Sequence, residues 1–276
     1  MNPHAPQPAS PLALLRNLWE HRALVLALSR REIAGRYRGS VFGVFWSFLN
    51  PILMLSVFTF VFGEIFRARW AGSQTAGGVD FAAALFAGLL IYNFFAECIS
   101  KAPTLVLSNI NYVKKVVFPL EILPVVTLMA ALFHLLVAYL ILTLLILFSG
   151  WQLGATALLV PVVMLPFALL VTGFSWILAA LGVYLRDIGQ VIAPMITALL
   201  FLSPVFYPLS VVSDRLKTVY LANPVTFVIE QVRNLMLHGQ LPDWPGLALY
   251  SAISLVVAFG GFYLFQKSRK GFADVL

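Results

Sequence analysis

Residues 30–51, RREIAGRYRGSVFGVFWSFLNP, change character in their middle. Arg30–Arg38 carry four arginines and a glutamate; from Gly39 the charge stops and Phe42, Phe45, Trp46 and Phe48 follow closely. No further charge appears before Glu64. A bilayer needs about 20 apolar residues of helix, so residues 41–66 read as a membrane span and Arg36–Arg38 as an elbow at headgroup depth. Asn50-Pro51 interrupts this span. Proline removes a backbone donor and disfavours the helical conformation just before it, so a kink is expected there.

The rest of the chain supports the same reading. Of 276 residues, 61% are hydrophobic and 11% charged, against about 45–50% and about 25% in soluble domains. The formal charge of +7 would suit nucleic acid, but Lys and Arg flank the uncharged runs, where they orient a membrane protein. No nucleic-acid partner is expected. The one cysteine, Cys98, excludes an intrachain disulfide framework.

An all-α membrane protein with six transmembrane helices follows. The spans are about 41–66, 81–100, 122–148, 158–183, 188–206 and 244–266. Residues 1–11, Pro-rich and without the basic start and apolar centre of a signal peptide, are expected to be disordered. Ser10-Pro11 can open a helix. Over 12–38 Leu15, Leu18, Trp19, Leu26 and Ile33 share one side, the mark of an amphipathic interface helix. Leu24 and Leu28 break its polar side and hint that this face meets protein. Residues 39–276 then form the membrane domain. Between the last two spans, the 12-residue uncharged run 218–229 is split by Asn223 and Pro224. That length suits a re-entrant helix–break–helix better than a span. With the N-terminus cytoplasmic, thirteen of the eighteen Lys and Arg fall inside, and both termini lie in the cytoplasm.

The chemistry-bearing motifs are few. No Gly-Lys-Ser or Gly-Lys-Thr can cradle a nucleotide, no zinc or calcium spacing occurs, and the spans carry almost no ionisable groups. No catalytic residue and no metal site is expected. Energy for transport, if used, arrives from outside this chain. His134 is a lone membrane histidine suited to packing or an interhelical hydrogen bond. Phe42, Phe45 and Trp46 share a helix face; they suit either bilayer anchoring or stacking on the apolar faces of sugars. Arg36 and Arg38 suit either orientation and anionic-lipid contact, or the holding of a pyrophosphate. Gly35, Gly39 and Gly43, four apart, fit a close helix contact or a tight bend.

The sequence resembles the ABC-2-type permeases that export polysaccharides, above all the O-antigen exporters, with teichoic acid and capsule exporters as relatives. The pattern R-Y-x-x-S-x-x-G-x-x-W-x-x-x-x-P is carried by Arg36, Tyr37, Ser40, Gly43, Trp46 and Pro51. NINYVKKVVFPLEILP (109–124), YLRDI (184–188), LSPVFYP (202–208) and ANP (222–224) resemble the family in the same order. The resemblance implies a homodimer in the inner membrane, joined by two copies of a separate ATPase that binds the ATP and magnesium. No cofactor is then expected on this chain, which is not itself an enzyme. It further implies a polyprenyl-pyrophosphate-linked glycan as cargo, with Arg36 and Arg38 at the pyrophosphate and Phe42, Phe45, Trp46 and Tyr207 along the glycan. Asn111, Lys114, Lys115, Arg186 and Asp187 would face the ATPase. Pro51, Asn223 and Pro224 would serve kink and gate. A stand-alone channel or an intramembrane enzyme would need midplane charges, repeats or a catalytic constellation, and the sequence displays none of these.

Overall fold

Residues 10–65, 78–114, 118–149 and 153–276 are described by this computed structural model, and among them the chain is helices joined by turns, with no strand. Of the expected features, residues 1–9, Phe66 and Lys115 lie outside the described residues, and of Lys114 only the backbone is described.

Ser10 accepts the Ala13 amide at 3.2 Å and Pro11 takes the first helical position, so α1 (Pro11–Glu20) starts at the expected cap. It does not run on to residue 38. His21 leaves helical geometry, and its Nδ1 sits 2.9 Å from the Asn17 carbonyl, which the His21 amide also uses. The chain restarts as α2 (Arg22–Arg36), so the single interface helix expected over 12–38 is two. Leu14, Val25 and Ser29 are their buried positions, with Leu18, Leu24 and Leu28 partly covered in the same cluster. The Ser29 hydroxyl lies 2.8 Å from the Val25 carbonyl and 3.4 Å from that of Val126 on α6 (Ile122–Phe148). Leu12, Leu15, Trp19 and Leu26 remain exposed, leaving a stripe of the kind a membrane-surface helix presents.

The first membrane helix begins as a tight turn at Gly43–Phe45, continues as α3 (Trp46–Phe58), which runs through Pro51, and widens into a π-helical segment at Thr59–Ile65. Next come α4 (Gly78–Lys101), the short α5 (Ile110–Lys114), α6, α7 (Val160–Tyr184) and α8 (Ile188–Phe201). Then follow α9 (Asp214–Ala222), α10 (Pro224–Leu237), α11 (Trp244–Ser268) and a last turn, α12 (Phe272–Val275). Among the described residues, five stretches are long and apolar enough to cross a membrane: Gly43–Phe62, Phe81–Thr104, Ile122–Phe148, Ala155–Tyr184 and Trp244–Val275. The remaining expected span, 188–206, is helical only over the 14 residues of α8, about 21 Å against a hydrocarbon core of about 30 Å. Pro204 and Pro208, which cannot donate to a continuing ladder, lie just beyond its end.

α4 is the centre of the bundle. In its most apolar stretch 78% of residues are buried, whereas the corresponding figure for the first membrane helix is 11%. α4 therefore supplies the core, and α3 is a peripheral wall with its faces largely uncovered. α7 and α11 meet backbone to backbone at Gly173 and Gly261: a Cβ on Gly173 would stand 2.6 Å from the Val257 carbonyl oxygen. Small residues permit such contact between membrane helices, where dispersion replaces hydrophobic driving force.

At one end of the bundle, α10 carries Arg233, 1% exposed. Its Nε donates to the Ala84 carbonyl and its Nη2 to that of Val205, both at 2.8 Å; its Nη1 donates to the Pro204 carbonyl and lies 3.2 Å from Glu230. The charge count that orients the chain treats Arg233 as a loop cation. It is instead an internal clamp, since a buried guanidinium can satisfy several carbonyls at once. At the opposite end of α7, the carboxylate of buried Glu121 accepts from Asn17 of α1 and, at 2.7 Å, from Arg269 beside α12. The indole of Trp176 donates to the Glu121 carbonyl at 2.9 Å. N- and C-terminal segments thus meet on one residue.

Candidate functional site

The elbow is a succession of tight turns. Tyr37, Arg38, Ser40, Gly43 and Phe45 each donate their amide to the carbonyl three residues earlier, at 3.0–3.4 Å. Gly39 and Gly43 have φ of +86° and +51°, where a side chain is disfavoured. Gly35 has ordinary backbone geometry, and nothing lies within 4 Å of a Cβ built on any of the three. Of the two readings open for these glycines, the bend describes Gly39 and Gly43.

The turns point the elbow into a cavity of ≈ 650 Å³ between α3, α4 and α6. One part of its wall is polar: Arg36, Ser47, Asn50, Asn93, Glu97, Ser100 and His134. The other part is apolar, with Met54, Phe58, Phe86, Leu89, Leu90 and Phe94. Ser47 and Asn50 on α3, and Asn93, Glu97 and Ser100 on α4, follow helical spacing, so each helix turns one polar stripe to the cavity. A separate apolar groove lies between the first membrane helix and α6, lined by Leu55, Thr59, Phe60, Ile141 and Leu145.

Glu97 is the charged centre of the polar part. Its side chain is 12% exposed, and it accepts from Arg36 at 2.7 Å and Lys101 at 3.3 Å. Lys101 also reaches Glu32 of α2 at 2.8 Å. The Nδ1 of His134 stands 2.9 Å from Arg36 Nη1 and 3.0 Å from Glu97 Oε2. It can accept from the first in one tautomer or donate to the second in the other. Two cations and two carboxylates balance, and all four sit where the basic elbow meets the second and third spans. A carboxylate this far from water is stable only when paired in this way.

The expected site residues separate into groups. Arg36 lies inside the cluster, while the Arg38 side chain is exposed. Trp46 lines the cavity, with Phe42 edge-on to it at 5.8 Å between ring centroids. Phe42 and Phe45 are each 57% exposed and are not among the lining residues. Tyr207 stands apart from them, between α8 and α9, its hydroxyl 2.6 Å from that of Tyr220. Pro51 lines the cavity from within α3. Asn223 and Pro224 form the break between α9 and α10, and Pro224 opens α10. The Asn223 side chain accepts from the Val225 amide at 3.0 Å and donates to the Leu202 carbonyl and Ser203 hydroxyl, at 3.1 and 2.8 Å. The interruption is therefore capped within the protein, as buried irregular backbone requires.

Asn111, Arg186 and Asp187 are exposed. They belong to one end of the bundle, because α12 touches both α5 and α7 and the Tyr184 hydroxyl donates to the Ser268 carbonyl at 2.7 Å. Glu32, Glu97, Lys101 and His134 are scattered over three helices, and no local pattern in the sequence joins them. The available signal was Glu97 itself, a carboxylate in an otherwise uncharged span.

Comparison with known proteins agrees with this architecture. The pattern of the family described as ABC-2 type transporter matches residues 23–237. An O-antigen export system permease protein, RfbA of Myxococcus xanthus, is 29% identical over 266 residues, 95% of this chain and 99% of its own length. The RfbA of Klebsiella pneumoniae is 22% identical over 254 residues, 92% of this chain and 95% of its own. The polysialic acid transport protein KpsM of Escherichia coli is 23% identical over 253 residues, 90% and 95% respectively. With a family match across well over half its length, and helices apolar enough to cross a bilayer several times, this chain is a membrane permease belonging to the ABC-2 type transporter family.

Proposed function

We propose that the chain is the membrane subunit of an ATP-driven exporter that carries a polyprenyl-pyrophosphate-linked polysaccharide, O-antigen first among the candidates, from the cytoplasm across the inner membrane. The observation that carries this reading is the cavity beside α3. It joins a cationic, water-facing elbow to an apolar wall, and a lipid with a diphosphate headgroup has those same two parts. The relatives named as O-antigen export permeases support the cargo class.

In this reading both termini are cytoplasmic, consistent with their meeting at Glu121. α8 with the turns after it serves as the fifth of six spans, and α9–α10 forms a re-entrant outer gate hinged at Asn223-Pro224. The exposed apolar stripe of α1 and α2 lies on the inner leaflet. Two copies associate and two ATPase subunits dock on the end that carries Asn111, Arg186 and Asp187, with Lys114 and Lys115 beside them in sequence. Arg36 and Arg38 receive the diphosphate; Trp46, with Phe42 and Phe45 at its margin and Tyr207 further along, stacks on sugar rings. ATP and magnesium stay with the partner.

Deletion of the gene is expected to leave lipid-linked glycan inside the cell and to remove one surface polysaccharide, with rescue by this chain only alongside its ATPase. Export by the purified chain without any ATPase would refute the reading. Loss of a capsule rather than O-antigen would favour the alternative cargo, which the similarity to KpsM supports.

A further inference from the structure

We propose that Glu97 is a built-in stand-in for the anionic headgroup: it occupies Arg36 in the unloaded chain, and a phosphate-bearing lipid reaches Arg36 by displacing it, which unties the elbow from the bundle. This rests on the reading in which Arg36 receives the headgroup.

Three features of the cluster carry it. First, Glu97 holds the guanidinium at 2.7 Å with a carboxylate oxygen, the interaction a phosphate oxygen would replace. Arg36 is half exposed and lines the cavity, so an incoming anion meets it before the carboxylate has left. Second, release does not strand Glu97. Lys101 at 3.3 Å and the His134 Nδ1 at 3.0 Å remain in reach, and Lys101 keeps Glu32 at 2.8 Å. The usual cost of breaking a buried pair, an uncompensated charge, is therefore largely avoided. Third, the exchange has a mechanical consequence. Arg36 is the last residue of α2, and Glu97 sits on α4. Breaking their contact loosens the turn at Gly39–Gly43 from the central helix, while the Lys101–Glu32 pair still holds α2 one turn before its end and the His134 imidazole remains beside Arg36. The four paired charges sum to zero, so an added dianion calls for a further cation. Arg38, exposed two residues on, is placed in sequence to supply it.

The test is made on the full chain in nanodiscs of zwitterionic lipid, titrated with a polyprenyl diphosphate and, separately, with inorganic diphosphate. Glu97→Gln is expected to bind the lipid about tenfold more tightly than the unaltered chain, which is about 1.4 kcal/mol. Amide exchange over residues 35–40 is expected to be faster in the ligand-free variant. Glu97→Asp, whose carboxylate is one methylene shorter, should tighten binding a few-fold and serves if the amide variant does not fold. In an Arg36→Ala background, Glu97→Gln should tighten nothing. Tightening for the lipid alone assigns the headgroup to the membrane; tightening for both probes supports displacement by a phosphate group from either source. Unchanged or weaker binding in both Glu97 variants overturns the proposal. Equal binding by the unaltered chain and Arg36→Ala would instead refute the assignment of Arg36.

Discussion

Arg233→Met isolates what a buried cation does for this fold. Methionine fills much of the same space and removes the charge together with every donor. The carbonyls of Pro204 and Val205, in the turns after α8, lose their bonds to the guanidinium. Each buried acceptor left bare costs about 1–3 kcal/mol. The Ala84 carbonyl lies inside α4 and loses less, because its place in the helix ladder remains. Glu230, partly exposed, turns to water. Relief of the desolvation of the arginine offsets part of the loss, leaving about 3 kcal/mol of destabilisation. Arg233→Lys keeps the charge without the planar fork and should lie between. Gly88 provides an internal control: a Cβ there would stand 2.6 Å from Arg233 Nη2 and 3.2 Å from the Val205 Cα. Gly88→Ala alone should cost about 1–3 kcal/mol by crowding the guanidinium. In the Arg233→Met background it should cost less, by on the order of 1 kcal/mol, because the crowded group is gone. Equilibrium unfolding in mixed micelles, followed by intrinsic fluorescence, reads all four variants against the unaltered chain. A loss under about 1 kcal/mol for Arg233→Met, or strict additivity with Gly88→Ala, would refute the clamp.

Gly173→Val should cost about 3 kcal/mol or more, since its new atoms would meet the Val257 carbonyl and the backbone of Ala258 rather than flexible side chains; the yield of monodisperse protein in detergent checks this, and a normal yield would show that α7 and α11 can part. Gly39→Val places a β-branched residue at positive φ and should cost about 1–2 kcal/mol, with faster proteolysis at the elbow as its signature and an unchanged cleavage pattern as its refutation. Arg269→Ala leaves the Glu121 carboxylate, 1% exposed, without its cationic partner; release of both α1 and α12 to limited proteolysis is expected, and release of α12 alone would show that Asn17 suffices to hold α1.

Much of this fold is legible because a bilayer imposes length. Residues 122–148 show it: an uncharged run longer than a membrane is thick has one economical conformation, and α6 has those bounds. The break at Asn223-Pro224 is legible for a local reason, since Asn caps a helix that Pro opens. The break at His21 is not legible, because it depends on a ring nitrogen and a backbone amide sharing the Asn17 carbonyl, which leaves no pattern in hydrophobicity. The short α8 was missed because composition continues apolar past Phe201 while the prolines end the ladder. The charged cluster lies beyond local reading altogether. Glu32, Arg36, Glu97, Lys101 and His134 come from three helices, and two of their contacts join residues more than ninety positions or sixty positions apart. Tyr207 and Trp46 are joined only by what the family resemblance implies, and Tyr207 is not among the residues that line the cavity beside Trp46.

The two arginines that matter most differ in what holds them, and that difference separates architecture from function. Arg233 is enclosed and bonds chiefly to backbone carbonyls, which cannot leave without moving α4 or the turns after α8. Exchanging its partners means unfolding, so its charge is fixed in place and serves the fold. Arg36 is half exposed and bonds to a carboxylate and an imidazole, side chains that move by rotamer change while the helices stand still. Other partners remain for that carboxylate, and a cavity lies open beside the guanidinium. Under the proposed function, the chain has to grip an anionic headgroup and later let it go. That cycle needs a cation whose partner can be swapped at small net cost, and in this chain Arg36 satisfies the condition while Arg233 does not.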